Sequence, residues 1–233
     1  MNTFPLHIIC ETSTIADGNM NFKESDEKEV ISNRAKFLEK NGIAYADHVT
    51  MTCNHGETIT LITSHHLSPL QSEVLVTQQK NIALFLLTAD CLPVSLYDPV
   101  TQTIALAHIS RKTLVQKLVQ KTVSFLYEEL GVEPQNLEVY IGPHIKKESY
   151  AFALPLQEQS AALENCIEIK DGLAYVDLER ACCAQLIERG IQAENIAISE
   201  IDTGTSRNHF SYYRMKKNRE QDTPRMATTL MLT

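Results

Sequence analysis

The sequence lacks any apolar run long enough to cross a bilayer. Its most apolar stretch, Ile82 to Tyr97, is cut by Asp90 and Pro93, and a spanning helix needs roughly 20 uninterrupted apolar residues. A basic excess is missing too: 21 Lys and Arg stand against 29 Asp and Glu, a formal net charge of −8. Binding through a nucleic-acid phosphate backbone needs a basic face, so that class of partner is not expected. The start, Met-Asn-Thr-Phe-Pro-Leu-His, has no basic patch followed by an apolar core and a small-residue cleavage site, so a cytoplasmic protein is expected. Six cysteines, Cys10, Cys53, Cys91, Cys166, Cys182 and Cys183, follow no framework spacing, which predicts reduced thiols. Of these, Cys182 and Cys183 fall in a helical pattern and read as core packing. The expected partner is a small molecule.

What is present is ordinary globular composition, 43% hydrophobic and 21% charged over 233 residues, enough chain to bury one large core. Apolar spacing predicts helices over 29–40, over 113–130 closed by Gly131, and from an Asp177 N-cap to Gly190. Short β-branched or aliphatic runs at 58–63, 82–87, 93–97, 103–108, 137–141, 196–199 and 227–232 predict strands. Strands outnumber helices and come mostly in neighbouring pairs. The expectation is a layered α/β (α+β) fold, a mixed β-sheet core with helices packed on it, in a single domain over 1–233. The polar segment 216–224 reads as a mobile loop before the last strand.

One hairpin carries the chemistry. Thr88-Ala89-Asp90-Cys91-Leu92-Pro93-Val94 enters a strand, Asp98-Pro99-Val100-Thr101 has turn composition, and Thr103 to His108 returns. If Asp98 faces Thr101, Cys91 lands opposite His108, where one metal ion can touch both side chains. His55, in Asn54-His55-Gly56, is the third candidate ligand. Spacings of 36 and 17 residues match no compact zinc-finger rule, and each residue by itself reads as a small buried thiol or an ordinary loop histidine.

The same stretch, with Asp98-Pro99 and Ala107-His108, resembles the core signature of the YfiH family. That family is named for a laccase domain or multicopper polyphenol oxidase, and its members are viewed as purine nucleoside phosphorylases. Further matches are Asn33-Arg34, Asn54-His55-Gly56, Ile141-Gly142-Pro143 with Tyr150, Phe210-Ser211-Tyr212 with Arg214, and Arg225-Met226-Ala227. They run in family order over nearly the whole chain.

The resemblance implies a zinc site of His55, Cys91 and His108, with Asp90 beside it as an orienting group or base. It also implies substrate and phosphate contacts from Arg214, Arg225, Lys112, Asn33, Arg34 and Tyr150. The implied activity is phosphorolysis of adenosine, inosine or methylthioadenosine to base and ribose 1-phosphate, with adenosine deamination sharing the site, in a monomer or homodimer. The rival is a non-phosphorolytic member acting in peptidoglycan precursor editing or in metal or ligand binding. One departure favours that rival: Ile109-Ser110-Arg111-Lys112-Thr113 replaces the family's Ala-Gly-Trp-Arg-Gly after the histidine. Cys53-Asn54 at the family's Gln-Val and Glu148-Ser149-Tyr150-Ala151 at its Cys-Cys-Tyr-Glu depart as well.

A literal copper oxidase uses many imidazole ligands. Here there are eight histidines and no His-x-His pair, so copper is expected to be adventitious. The adjacent pair His65-His66 reads as a solvent loop, and His144 and His209 as surface loop histidines near the pocket.

Overall fold

The computed structural model describes residues 4–23, 25–64, 69–154, 161–219 and 223–233. In chain order the elements are β1 (Ile8–Thr12), α1 (Glu27–Lys40), β2 (His48–Thr52), β3 (Ile59–Leu61), β4 (Leu70–Gln71), β5 (Val74–Thr77) and β6 (Ala83–Thr88). They continue as β7 (Leu92–Asp98), β8 (Thr103–Ile109), α2 (Arg111–Val115), α3 (Leu118–Leu130), β9 (Glu138–Ile141), β10 (Ala151–Ala153) and β11 (Ile167–Lys170). The last are β12 (Leu173–Val176), α4 (Leu178–Glu188), β13 (Ile196–Ile198), α5 (Tyr212–Lys217) and β14 (Met226–Leu232).

Two mixed sheets form the centre, in the orders β1-β14-β6-β2-β4 and β13-β9-β7-β8-β5-β3, with an antiparallel β10-β12-β11 sheet beside them. Because side chains alternate across a strand, each central strand is buried on both faces. Leu84 and Leu86 of β6, with Val49 and Met51 of β2, meet Leu75, Tyr97, Ile104 and Leu106 of the six-stranded sheet. Ala83 and Phe85 turn the other way, onto Phe37 and Leu38 of α1. The far face of the six-stranded sheet, with Val94, Leu96, Ala105 and Ala107, packs on Leu118, Val123 and Leu126 of α3 and Leu186 of α4. The result is the expected layered α/β arrangement, helix, sheet, sheet, helices.

Local chemistry sets the boundaries. Asp26 caps α1 by accepting from the Glu29 N–H, and Asp177 caps α4 by accepting from the Arg180 N–H. The single helix expected over 113–130 is two helices. Lys117 takes a left-handed conformation, φ 58°, between α2 and α3, while Leu114 and Leu118 are both fully buried. The apolar stripe therefore continues across a break that its spacing hides. The segment expected to be a loop from 216 begins inside α5, which Ser211 caps by accepting from the Arg214 N–H; residues 220–222, like His65-His66, lie outside the described residues.

The hairpin register also differs from expectation. Asp98 pairs with Thr103, so His108 faces Pro93 and not Cys91. The Asp98 carboxylate accepts from both the N–H and the hydroxyl of Thr101, at 2.8 and 2.6 Å. That Asx turn draws Thr101 into the loop, and Gln102 adds a residue at φ 53°. The shift is two residues, which moves the partner along the strand but leaves every side chain on its own face.

Candidate metal centre and ligand cavity

The period of two that builds the core also builds the site. Cys53 continues the side of Val49 and Met51 just past β2, Glu73 precedes β5 on the side of Leu75, and His108 shares the side of Ile104 and Leu106. Glu73 faces His108 across the β5–β8 ladder, extending the Val74–Ala107 pair. Cys91 enters from the turn before β7, where Asp90 holds φ 88°. Ends of both sheets thus deliver thiols, imidazole and carboxylate to one end of the inter-sheet core.

The contacts give each group a role. The buried Glu73 carboxylate accepts from His108 Nδ1 at 2.7 Å and from the N–H groups of Asn54 and Gly56 at 2.6 and 3.2 Å. It holds the His108 ring at Nδ1 and leaves Nε2 as the atom that could meet an ion, the usual carboxylate–histidine support. Burial opposes charge on His108, but the Cys91 and Cys53 sulfurs and Glu73 outweigh it and hold its pKa well above the ordinary histidine value. Burial pushes the Cys53 thiol up, and the contact with His108 pulls it back. His55, at φ 62°, places its ring centroid 5.4 Å from that of His108, with Nδ1 3.1 Å from Ser110 Oγ. The Gln116 side chain donates to the His55 carbonyl and fixes that turn. His55, Cys91 and His108 all line one cavity. The group whose ligand atoms lie within 4.8 Å of one another, however, is Cys53, Glu73 and His108, which takes in neither His55 nor Cys91 and includes two residues that the sequence reading did not select as ligands.

Asp90 has a different environment. One oxygen accepts from the Thr203 hydroxyl at 2.7 Å and the other from the Tyr213 N–H at 2.6 Å. Burial raises its pKa against those bonds. Arg214 completes the knot, its guanidinium donating to the carbonyls of Thr203, Gly204, Ser206 and His209 at 2.8, 3.4, 2.8 and 2.7 Å. The fork is spent on backbone and does not reach the cavity wall. Asn33 is likewise outside it, donating to the Asn19 carbonyl at 3.1 Å and packed so closely that a Cβ on Gly18 would lie 2.3 Å from its amide nitrogen. His144 and His209, expected on surface loops, are buried and also stand off the wall.

The cavity is about 880 Å³ and is lined on its described wall by six basic residues, Lys23, Arg34, Arg111, Lys112, Lys216 and Arg225, against one acid, Asp90. In a chain of net charge −8, that local inversion of sign marks a site for an anion. Arg225 donates to the carbonyls of Thr223 and Pro224 at 2.9 and 3.0 Å and lies 5.2 Å from the Tyr212 ring. Arg34 donates twice to the Met20 carbonyl and stacks 4.3 Å from the Phe22 ring centroid, and burial lowers its pKa to about 10. Tyr150 lines the cavity edge-on to Phe152 and Tyr213. Phe22 and Tyr212 remain 39% and 41% exposed at its mouth. Of the basic residues, Lys23, Arg111 and Lys216 were not foreseen; no spacing rule links them, and only the fold brings them together.

Residues 10–233 match the model of the multi-copper polyphenol oxidoreductase laccase family. The chain belongs to this family. Among its curated relatives, a purine nucleoside phosphorylase of Streptomyces coelicolor is 31% identical over 206 residues, 87% of this chain and 82% of that one. A purine nucleoside phosphorylase of Deinococcus radiodurans is 29% identical over 74% of this chain and 68% of its own length. The crystal structure of YfiH from Bacillus licheniformis superimposes with a TM-score of 0.81 at 25% identity, covering 92% of this chain and 85% of that one. YlmD from Geobacillus stearothermophilus gives 0.86 at 21% identity over 97% and 92% of the two chains, a likeness of fold.

The laccase name implies metal, and the donor set fits one. Among the described residues a single group of His, Cys, Asp and Glu brings its ligand atoms close enough for an ion, Cys53, Glu73 and His108, all within 4.8 Å of one another. Thiol with imidazole suits zinc and other borderline-soft ions.

Proposed function

We propose that this protein is a zinc-dependent purine nucleoside phosphorylase, with His55, Cys91 and His108 as the ligands. The observation that carries this reading is the juxtaposition of the thiol–imidazole corner with a cation-lined cavity that has aromatic rings at its mouth. The names of the relatives support it. A multicopper oxidase needs an array of imidazole-rich sites, and the described residues hold one candidate cluster, of a thiol, a carboxylate and a single imidazole.

In phosphorolysis a phosphate oxygen bonds to C1′ of the ribose as the bond from C1′ to the purine nitrogen breaks, and the base leaves carrying a proton. The protein must hold a dianion beside a sugar and keep water from taking its place. Arg225, Lys112 and Arg111 on the wall supply that charge, the arginine forks being suited to bidentate oxygen contact. Tyr212 and Phe22 offer faces for a purine, and Tyr150 is placed to border the sugar. Asp90 and Arg214, whose hydrogen-bonding capacity is spent internally, act in this reading by fixing the loop that carries Cys91. When bound, zinc would supply a Lewis acid at the cavity floor in a state that leaves one of its positions open to the substrate.

Liquid chromatography of adenosine, inosine and methylthioadenosine incubated with the protein tests the reading. Free base should form only when phosphate is present, with ribose 1-phosphate from adenosine and inosine and 5-methylthioribose 1-phosphate from methylthioadenosine. No free base from any of the three overturns it, and conversion of adenosine to inosine without phosphate reads deamination directly.

A further inference from the structure

We propose that Cys53 is a fourth protein ligand, which closes the metal site in the resting protein as a two-thiolate, two-imidazole centre. This rests on the zinc reading above and adds a residue to it.

Three observations support the assignment. The first is position: Cys53, Glu73 and His108 present ligand atoms within 4.8 Å of one another, and strand alternation puts Cys53 on the inter-sheet side together with His108. The second is contact. The Cys53 sulfur lies within 4.8 Å of a His108 ring nitrogen and Cys91 interacts with the same ring, so an ion on that ring's Nε2 has both sulfurs on its side. The third is the state of Glu73. Its carboxylate already accepts from His108 Nδ1, Asn54 N–H and Gly56 N–H, which makes it the support of a ligand and leaves the thiol as the added donor.

Charge favours the same answer. A divalent ion held by one thiolate and two neutral imidazoles keeps a net charge of +1, buried beside the six basic residues of the cavity. A second thiolate cancels that charge, and burying a neutral centre at the end of an apolar core costs far less than burying a charged one. Four protein donors of this kind are the tetrahedral set zinc takes in closed sites, whereas three with an open position are the set of hydrolytic sites. Deamination of adenosine, which needs that open position, should accordingly be weak in this chain.

Zinc-edge X-ray absorption of the zinc-loaded wild-type protein tests the proposal directly. The expected shell has two sulfurs at roughly 2.3 Å and two nitrogens at roughly 2.0 Å. One sulfur in the shell overturns it. Cobalt titration of the metal-free protein gives a second readout, because sulfur-to-cobalt charge-transfer absorption scales with the number of bound thiolates. Cys53→Ser should lower that absorption per bound cobalt by about half and weaken binding by at least about tenfold. Unchanged intensity at one cobalt per chain in Cys53→Ser, checked in Cys53→Gln should the serine variant fold poorly, overturns the role of Cys53 alone. Loss of the parent reading looks different: the wild-type protein then binds no zinc or cobalt, or Cys91→Ser keeps the full charge-transfer band.

Discussion

Two polar clusters flank the turn that carries Asp90 and Cys91, and they are built on opposite plans. On one side Asp90, Thr203, Tyr213 and Arg214 answer one another: both carboxylate oxygens accept a bond, and the guanidinium donates to four carbonyls. On the other side Cys53, Cys91, His55 and His108 gather two thiols and two imidazoles around the His108 ring, whose Nδ1 is held by Glu73. A cluster whose hydrogen bonds close internally holds a fold in place. A cluster of converging thiols and imidazoles is the kind of donor set that an ion can take up. The arginine that the family resemblance offered for substrate, Arg214, belongs to the first kind, while Arg225 lines the cavity of the second.

The largest expected effect separates the two. Cys91→Ala should remove most bound zinc and nearly all turnover while leaving far-ultraviolet circular dichroism unchanged, since a thiolate ligand is lost and no core volume with it. Undiminished zinc by mass spectrometry would erase the distinction drawn here. Arg214→Ala should do the reverse. Four carbonyls lose their donor, and urea denaturation should show a loss of about 2–4 kcal/mol with zinc per folded chain unchanged. Arg214→Lys should recover little, because an ammonium cannot reproduce the fork.

Glu73→Gln sharpens the comparison within the metal corner. The amide still fills the space but no longer polarises His108, so zinc affinity measured by competition with a chelator should fall roughly 10–100-fold. The smallest effect lies in a third network. Glu179 accepts from the Lys146 ammonium at 2.5 Å and lies 3.2 Å from His144 Nε2, a contact too poorly aligned for a full hydrogen bond and chiefly electrostatic. Proximity to His144, against burial and with Lys146, lowers its pKa from 4.5 to about 2. A depressed carboxyl stabilises the fold above its unfolded pKa and loses that contribution as pH falls through the folded one. Denaturation midpoints should therefore drop between about pH 4.5 and 2 in the wild-type protein, and less steeply in Glu179→Gln; equal slopes would remove the ion pair from the account.

The two plans were unequally legible in the sequence. The hairpin strands, the caps at Asp177 and Gly131 and the layered mixed architecture follow from periodicity and turn chemistry, which act locally. β2 was not expected, because His48, Thr50 and Thr52 break up its apolar pattern, yet Val49 and Met51 are fully inward. Missing β2 also meant missing Cys53, whose face is readable only as the next step of that alternation. Glu73 was hidden for a related reason: a buried carboxylate at the start of a strand looks like a surface charge until its partner across the ladder, His108, is known. His144 and His209 were placed in surface loops because loop composition says nothing about what covers a loop. The basic wall draws on residues from 23 to 225, a gathering that only tertiary structure performs.

Anomalous diffraction at the zinc edge, on crystals grown with zinc at one equivalent per chain, tests the central claim most directly. A single strong peak at roughly 2.1 Å from imidazole nitrogens of His55 and His108 and roughly 2.3 Å from the Cys91 sulfur is the predicted result. A peak elsewhere, or none between those three side chains, would contradict it.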